Sequence, residues 1–237
     1  MDGSAIRELQ KLIGYTFRDE SLILQALTHS SFCNEQLIGR TGDYERLEFL
    51  GDAILESVSS EFLYGRYPDK KEGELSKIRA SMVCEPSLAF CARDIKLGSF
   101  LRLGKGEERT GGRERDSIIS DVMEAIVGAI FLDGGFDKAR EFIHRFILSD
   151  LENKQLFFDS KSNLQEYVAR NLKKELEYVT EEETGENNEK VFRSRVLIGG
   201  ELTAEGVGRS KKASQQEAAY KALLALNVRS TNVSSEY

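Results

Sequence analysis

Glu45, Glu48 and Asp52 occupy positions i, i+3 and i+7 of the stretch YERLEFLGDAIL. At about 100° per residue they share an arc of roughly 60° on one helix face, with Leu47, Leu50 and Ile54 on the other. Like charges stacked this way cost a few tenths of a kcal/mol per pair, so the face is either simply solvated or relieved by a partner. A second helix-forming stretch, SIISDVMEAIVGAIFL, carries Asp121 and Glu124 as its only acids, again three apart. An ionised carboxylate in so apolar a segment is costly unless paired, hydrogen-bonded or bound to a metal. Two helices presenting such clusters can build an all-oxygen site for a hard divalent cation, Mg2+ or Mn2+ rather than Zn2+. Ions of this kind activate water and stabilise charge at phosphorus, which points to phosphodiester hydrolysis. The competing account is salt bridging of Asp121 and Glu124 to arginines elsewhere in the fold. Glu72 and Glu74, flanking Gly73 in KKEGELSKIRA, are further candidates. Their alternative role is to complement a helix N-terminal dipole.

The elements that must position these groups follow from apolar periodicity. Up to about residue 150 the pattern is helical block after block. Asp19 caps a predicted helix through SLILQALTHSSF, and Asp43 another through YERLEFLGDAILESVSSEFLYG. Further helices are expected over about 73–84, from Pro86 to about 96, over 117–132 and over 137–149, with a glycine-rich loop at 98–115. The pattern then changes to helix (161–172), three extended runs (177–181, 191–198 and 201–208) and a last helix from the Ser210 cap to about 227. The acidic segment 181–189 reads as a long mobile loop. The predicted organisation is thus an all-α domain at 1–153, a linker at 154–160, a small α+β domain of α-β-β-β-α order at 161–228 and a disordered tail at 229–237.

Composition narrows the function classes. The 237 residues are 40% hydrophobic and 31% charged, with two prolines, a soluble globular profile that excludes fibrous, collagen-like and membrane-spanning chains. The start, MDGSAIRELQKLIGY, lacks a basic region followed by an apolar run, so a cytoplasmic location and no membrane partner are expected. Cys33, Cys84 and Cys91 fit neither an even disulfide framework nor a CxxC pair, and read as reduced thiols. The net charge of −7 opposes a polyanionic partner at first sight. Residues 1–159 carry all of it, however, with 21 Lys+Arg against 28 Asp+Glu, while 160–228 carry 11 of each.

Within that neutral part, GVGRSKKASQQEAA joins a glycine-flanked turn to the Ser210 cap and to Lys211 and Lys212 in the first helical turn. Lysines there, with the positive end of the helix dipole, are placed to grip phosphates. The α-β-β-β-α order with this motif is that of a double-stranded RNA-binding domain.

Taken together, YERLEFLGDAIL, KKEGELSKIRASMV, TGGRERDSIISD and DVMEAIVGAI, in this order and followed by the RNA-binding module, resemble bacterial ribonuclease III across the whole chain. The resemblance implies a homodimeric endoribonuclease that cuts double-stranded RNA, leaving 5′-phosphates and short 3′ overhangs, and that processes ribosomal RNA precursors and structured messages. It places the metal-binding acids on Glu48, Asp52, Asp121 and Glu124, holding Mg2+ (Mn2+ substituting) and the attacking water, with Glu45 and Glu72 as supporting acids and Glu72 favoured over Glu74. It puts Phe49, beside the carboxylate face on the wheel, into the neighbouring subunit; otherwise Phe49 is half-buried in its own chain. RNA contacts fall on Gln165, Glu166, Lys211 and Lys212. The chain departs from the family at GENNEK (185–190), where Asn188 replaces a minor-groove histidine, and at Ala169, where a glutamine is common. His29 reads as a structural histidine holding a helix end, and His144 carries no signal. The rival readings are a non-cleaving RNA binder on the same fold and a small-nucleotide phosphohydrolase; the full set of acids favours the nuclease.

Overall fold

The helical periodicity is realised, in a computed structural model that describes residues 3–39, 41–149, 160–184, 190–208 and 210–228, as a succession of packed helices. These are α1 (Gly3–Ile13), α2 (Glu20–Ala26), α3 (Ser30–Gln36), α4 (Glu45–Arg66), α5 (Glu72–Met82), α6 (Glu85–Asp94), α7 (Lys105–Arg109), α8 (Asp116–Gly134) and α9 (Phe136–Phe146). The chain divides into two compact units, Met1–Ser149 and Asp150–Tyr237. None of the described helices is long and apolar enough to cross a membrane. No disulfide forms among the described residues; Cys33 and Cys91 are buried and Cys84 partly so.

The most apolar stretch, α8, is the axis of the first unit and is buried along most of its length, from Ile118 to Ile130; α2, α4, α6 and α9 pack around it. Along α4, Leu47, Ile54, Leu55, Val58 and Leu63 form the buried stripe. The two helices touch backbone to backbone. A Cβ on Gly51 would lie 1.9 Å from the Glu124 carbonyl oxygen, and one on Gly128 would lie 2.3 Å from that of Leu47. Only hydrogen fits at either place, because any larger group overlaps main chain that is itself locked in helical hydrogen bonds.

Three expectations are corrected. The helix through SLILQALTHSSF is broken at 27–29, where the backbone leaves to pair with Arg102: Arg102 N–H donates to Leu27 O at 2.8 Å and His29 N–H to Arg102 O at 3.0 Å. The Arg102 guanidinium donates to the Thr28 hydroxyl at 3.0 Å and lies over the Phe32 ring. α3 then starts afresh with His29 as its cap, Nδ1 accepting from Ser31 N–H at 3.1 Å, so the histidine does hold a helix end. The stretch 98–115 is not open loop but two 3-10 turns around α7. Arg113 ties it together by donating to the carbonyls of Gly98 and Leu101 at 3.1 and 2.9 Å and pairing with Glu108, while Glu107 pairs with Arg115.

The third correction is in the second unit, which runs α10 (Ser160–Tyr167, continued by a π-helical turn at Val168–Leu172), β1 (Leu176–Thr184), β2 (Lys190–Ile198), β3 (Glu201–Gly208) and α11 (Lys211–Ala225). β1 extends three residues past 181 because its acids find cross-strand bases: Glu181 pairs with Arg195, Glu182 with Lys190 and Glu183 with Arg193. The rest of the expected acidic loop, 185–189 with Asn188, lies outside the described residues, as do Arg209, linker residues 154–159 and the tail. Ser160, placed at the end of the linker by sequence, begins α10, where its buried hydroxyl donates to Gln216 O at 2.8 Å. The sheet is antiparallel in the order β1-β2-β3, and Gly199 and Gly200, at φ of 63° and 82°, make the tight β2–β3 turn that suits two left-handed residues. Leu164, Val168, Val196, Ile198, Ala218, Ala222 and Leu223 form its core.

A Gly128→Ala substitution should therefore cost about 1–3 kcal/mol or more by overpacking. Gly65→Ala, on the same α4 with nothing within 4 Å of its added Cβ, should be neutral or gain up to about 0.5 kcal/mol. Urea unfolding of both variants checks this, and equal effects would remove the close-contact argument.

Candidate active site

Because α4 and α8 touch through glycine, the carboxylates beside those glycines are brought to one place. Glu48 is half-buried, Glu45 and Asp52 are exposed, and Asp121 and Glu124 are half-buried on the one polar side of α8. Their charges act on one another across the helix pair. Burial, then Asp121, Glu45 and Asp52, push the Glu48 carboxyl up to about 7. Burial, then Asp52, Glu48 and Asp121, push that of Glu124 up to about 8. Asp52 is raised by burial and by Glu56. Asp121 is raised chiefly by burial, against the hydrogen bond donated by the Tyr44 hydroxyl at 3.4 Å and with Glu85 adding to the rise.

Among the described residues none of these five acids forms an ion pair with a basic side chain, so the salt-bridge account of Asp121 and Glu124 finds no support there. The donor set is carboxylate oxygen throughout, and its unrelieved repulsion is what a hard divalent cation would relieve; the residues fit such an ion in chemistry. Among the described residues no group of three or more His, Cys, Asp or Glu side chains stands at ligand spacing.

Glu72 is not brought to this place within the chain. It opens α5, exposed, accepting from the Ser76 hydroxyl at 2.9 Å, and lines a groove of about 680 Å³ with Ser60, Tyr64, Leu75 and Arg79 beside the second half of α4. Glu74 takes the dipole role instead, accepting from Lys71 N–H at 3.2 Å and from Lys70 Nζ at 3.3 Å. Phe49, one turn from the acids, is 81% exposed, which rules out packing within its own chain. Tyr44, which sequence reasoning passed over, is buried at the foot of α4 and touches Asp121. Its only advance signal was its place immediately before Glu45.

In the second unit Lys211 and Lys212 are exposed in the first turn of α11, after Ser210, whose hydroxyl accepts from Ala213 N–H at 3.1 Å. Neither lysine forms an ion pair with another described residue. Gln165 is exposed on α10, as is Ala169 just beyond it, while Glu166 is engaged with Arg170 at 2.8 Å. His144 is spent on an edge contact with Phe62.

Comparison with known proteins finds relatives for both parts of the chain. The sequence model described as ribonuclease-III-like matches residues 19–151, and that of the double-stranded RNA binding motif matches 160–226. "Ribonuclease 3" of Caldanaerobacter subterraneus subsp. tengcongensis is 47% identical over 223 residues, covering 93% of this chain and 97% of that one. Its namesake in Oceanobacillus iheyensis is 44% identical over 94% and 98%. Among solved structures, the nuclease domain of ribonuclease III from Campylobacter jejuni, described for flexibility in a region involved in dimer formation, is 43% identical. It has a TM-score of 0.56 and covers 60% of this chain and 95% of that domain.

Raised carboxyls make a stability prediction. A group whose folded value lies above its ordinary value near 4.5 binds its proton more tightly when folded, so stability present below about 4.5 falls as pH rises toward the folded value. Without divalent cations, Glu124→Gln should be more stable than the wild type at pH 8, by about 2–4 °C in Tm for each kcal/mol of repulsion removed. The two should converge near pH 4.5, and Mg2+ should stabilise the wild type more than the variant. Parallel pH profiles in thermal denaturation would contradict the cluster.

Proposed function

Because this chain belongs to the ribonuclease III family of endoribonucleases, we propose that it hydrolyses phosphodiester bonds of double-stranded RNA at the Glu48, Asp52, Asp121 and Glu124 cluster, in a reaction that requires Mg2+, with Mn2+ able to substitute. The observation that carries this reading is the convergence, through the glycine contact of α4 and α8, of four carboxylates with no basic partner among the described residues. A bound divalent cation would supply charge stabilisation at phosphorus and a more acidic water. The four carboxylates would hold that ion and orient the attacking water, with Glu45 adding negative charge beside them; Glu72, apart from the cluster within one chain, would serve as a supporting acid only where a second copy of the helical unit brings it near.

The products on this reading are 5′-phosphate and 3′-hydroxyl ends with short 3′ overhangs. Such ends need two cuts on opposite strands, hence two copies of the helical unit, and exposed Phe49 is the apolar anchor of that pairing. The limits proposed for the two domains are 1–153 and 161–228. Lys211 and Lys212 hold phosphates from the α11 N-terminus, and Gln165 and Glu166 meet the minor groove from α10. A cytoplasmic enzyme trimming ribosomal RNA precursors and structured messages is the corresponding cellular role.

The direct test is cleavage of a perfect RNA duplex with and without Mg2+. The wild type should cut only with the ion, and Glu124→Gln should bind the duplex and lose at least about 10²-fold in rate. A wild type that binds and never cuts under any divalent ion would instead be a pure RNA binder. Lys211→Ala with Lys212→Ala should weaken binding to all duplexes and flatten the salt slope by about two; an unchanged slope removes both from the contact. Phe49→Ala should be monomeric at low micromolar concentration by ultracentrifugation, and a persistent dimer refutes the anchor.

A further inference from the structure

Tyr44 is held rigidly where α4 begins. Its N–H donates to Thr28 O at 2.9 Å, and its carbonyl accepts from Leu47 and Glu48 N–H at 2.8 and 2.9 Å. Its ring is 5% exposed and rests against His29, with ring centroids 5.7 Å apart. From that fixed base the hydroxyl reaches across to α8 and donates to Oδ2 of Asp121 at 3.4 Å, while Ser120 Oγ reaches the other oxygen only at 3.5 Å. One side chain thus joins the first turn of the helix that carries Glu48 and Asp52 to a carboxylate of the facing helix. We propose that Tyr44 is a positioning residue for the divalent cation, its hydroxyl occupying one oxygen of Asp121 and turning the other toward the ion; this rests on the metal-dependent reading above.

The chemistry of the pair suits the role. A phenol is protonated at neutral pH, so the hydroxyl is a neutral donor there. Donors on a ligating carboxylate limit its rotation: Tyr44 and Ser120 each touch one oxygen of Asp121, and of the two only Tyr44 ties Asp121 to the helix that carries Glu48 and Asp52. Removing such an outer contact typically weakens metal affinity by about 10–100-fold.

Tyr44→Phe deletes the hydroxyl and keeps the ring, its burial and the backbone bonds. Calorimetric titration of the full chain with Mn2+ should give a Kd raised about tenfold, with Tm in metal-free buffer unchanged within about 2 °C. The Mg2+ midpoint for duplex cleavage should rise in step, and the rate should recover at saturating ion. In a double-mutant cycle the substitution should add no further loss of Mn2+ affinity to Asp121→Asn. An unchanged Mn2+ Kd in Tyr44→Phe, beside a wild type that binds Mn2+ and cuts duplex, overturns the assignment while the metal-dependent reading stands. So does a rate deficit that saturating Mg2+ does not restore. A wild type that neither binds Mn2+ nor cuts overturns both.

Discussion

The contact between Gly51 and Gly128 is the constraint on which the first unit turns. With hydrogen alone at both positions, the backbones of α4 and α8 meet, Gly51 against the carbonyl of Glu124 and Gly128 against that of Leu47. The acids flanking those glycines cannot then avoid one another. Burial of the apolar length of α8 drives the helices together, and the repulsion among Glu48, Asp52, Asp121 and Glu124 is carried as a local cost of that packing. Folding energy in this way holds carboxylates together whose repulsion a divalent cation would relieve. Strain of this kind is expected where a fold serves a reaction rather than its own stability.

Much of this was legible beforehand because helices impose a fixed period. Acids at i, i+3 and i+7 declare a face, and two acids in an otherwise apolar helix declare a contradiction that something must resolve. The exposure of Phe49 was readable from the same wheel. What escaped was everything decided by distant partners. The requirement for glycine at 51 is set by the backbone of residue 124, which no local pattern reports. The break after Leu27 exists because Arg102 offers hydrogen bonds to the chain there, and the extension of β1 to Thr184 depends on lysine and arginine side chains of β2. Tyr44 sits just outside the helical period that exposed the acids, so its link to Asp121 had no signature of its own. Glu72 carried a motif match, yet its helix stands beside the far half of α4, away from the four acids within one chain.

The two units divide the electrostatic work. The first unit, with 20 Lys+Arg against 25 Asp+Glu over 1–149, carries most of the acidic excess of the chain, an unfavourable field for a phosphate backbone. Residues 160–228 of the second unit are neutral and place Lys211 and Lys212 where a helix N-terminus adds to their charge. On the proposed reading, affinity for duplex RNA belongs mainly to the second unit, where the double-stranded RNA binding motif matches. On the same reading the acids of the first would become compatible with RNA once a divalent cation offset them, so that metal affinity and cleavage should be linked rather than independent.

The most direct measurement is a carboxyl titration by carbon-detected NMR of Glu48 and Glu124 in the full chain, with and without Mg2+. Without the ion, apparent values near 7 and 8 are predicted, falling below the ordinary glutamate value when Mg2+ is added. Ordinary values in both conditions would contradict the claim that α4 and α8 force these carboxylates into a repulsion that a divalent cation relieves.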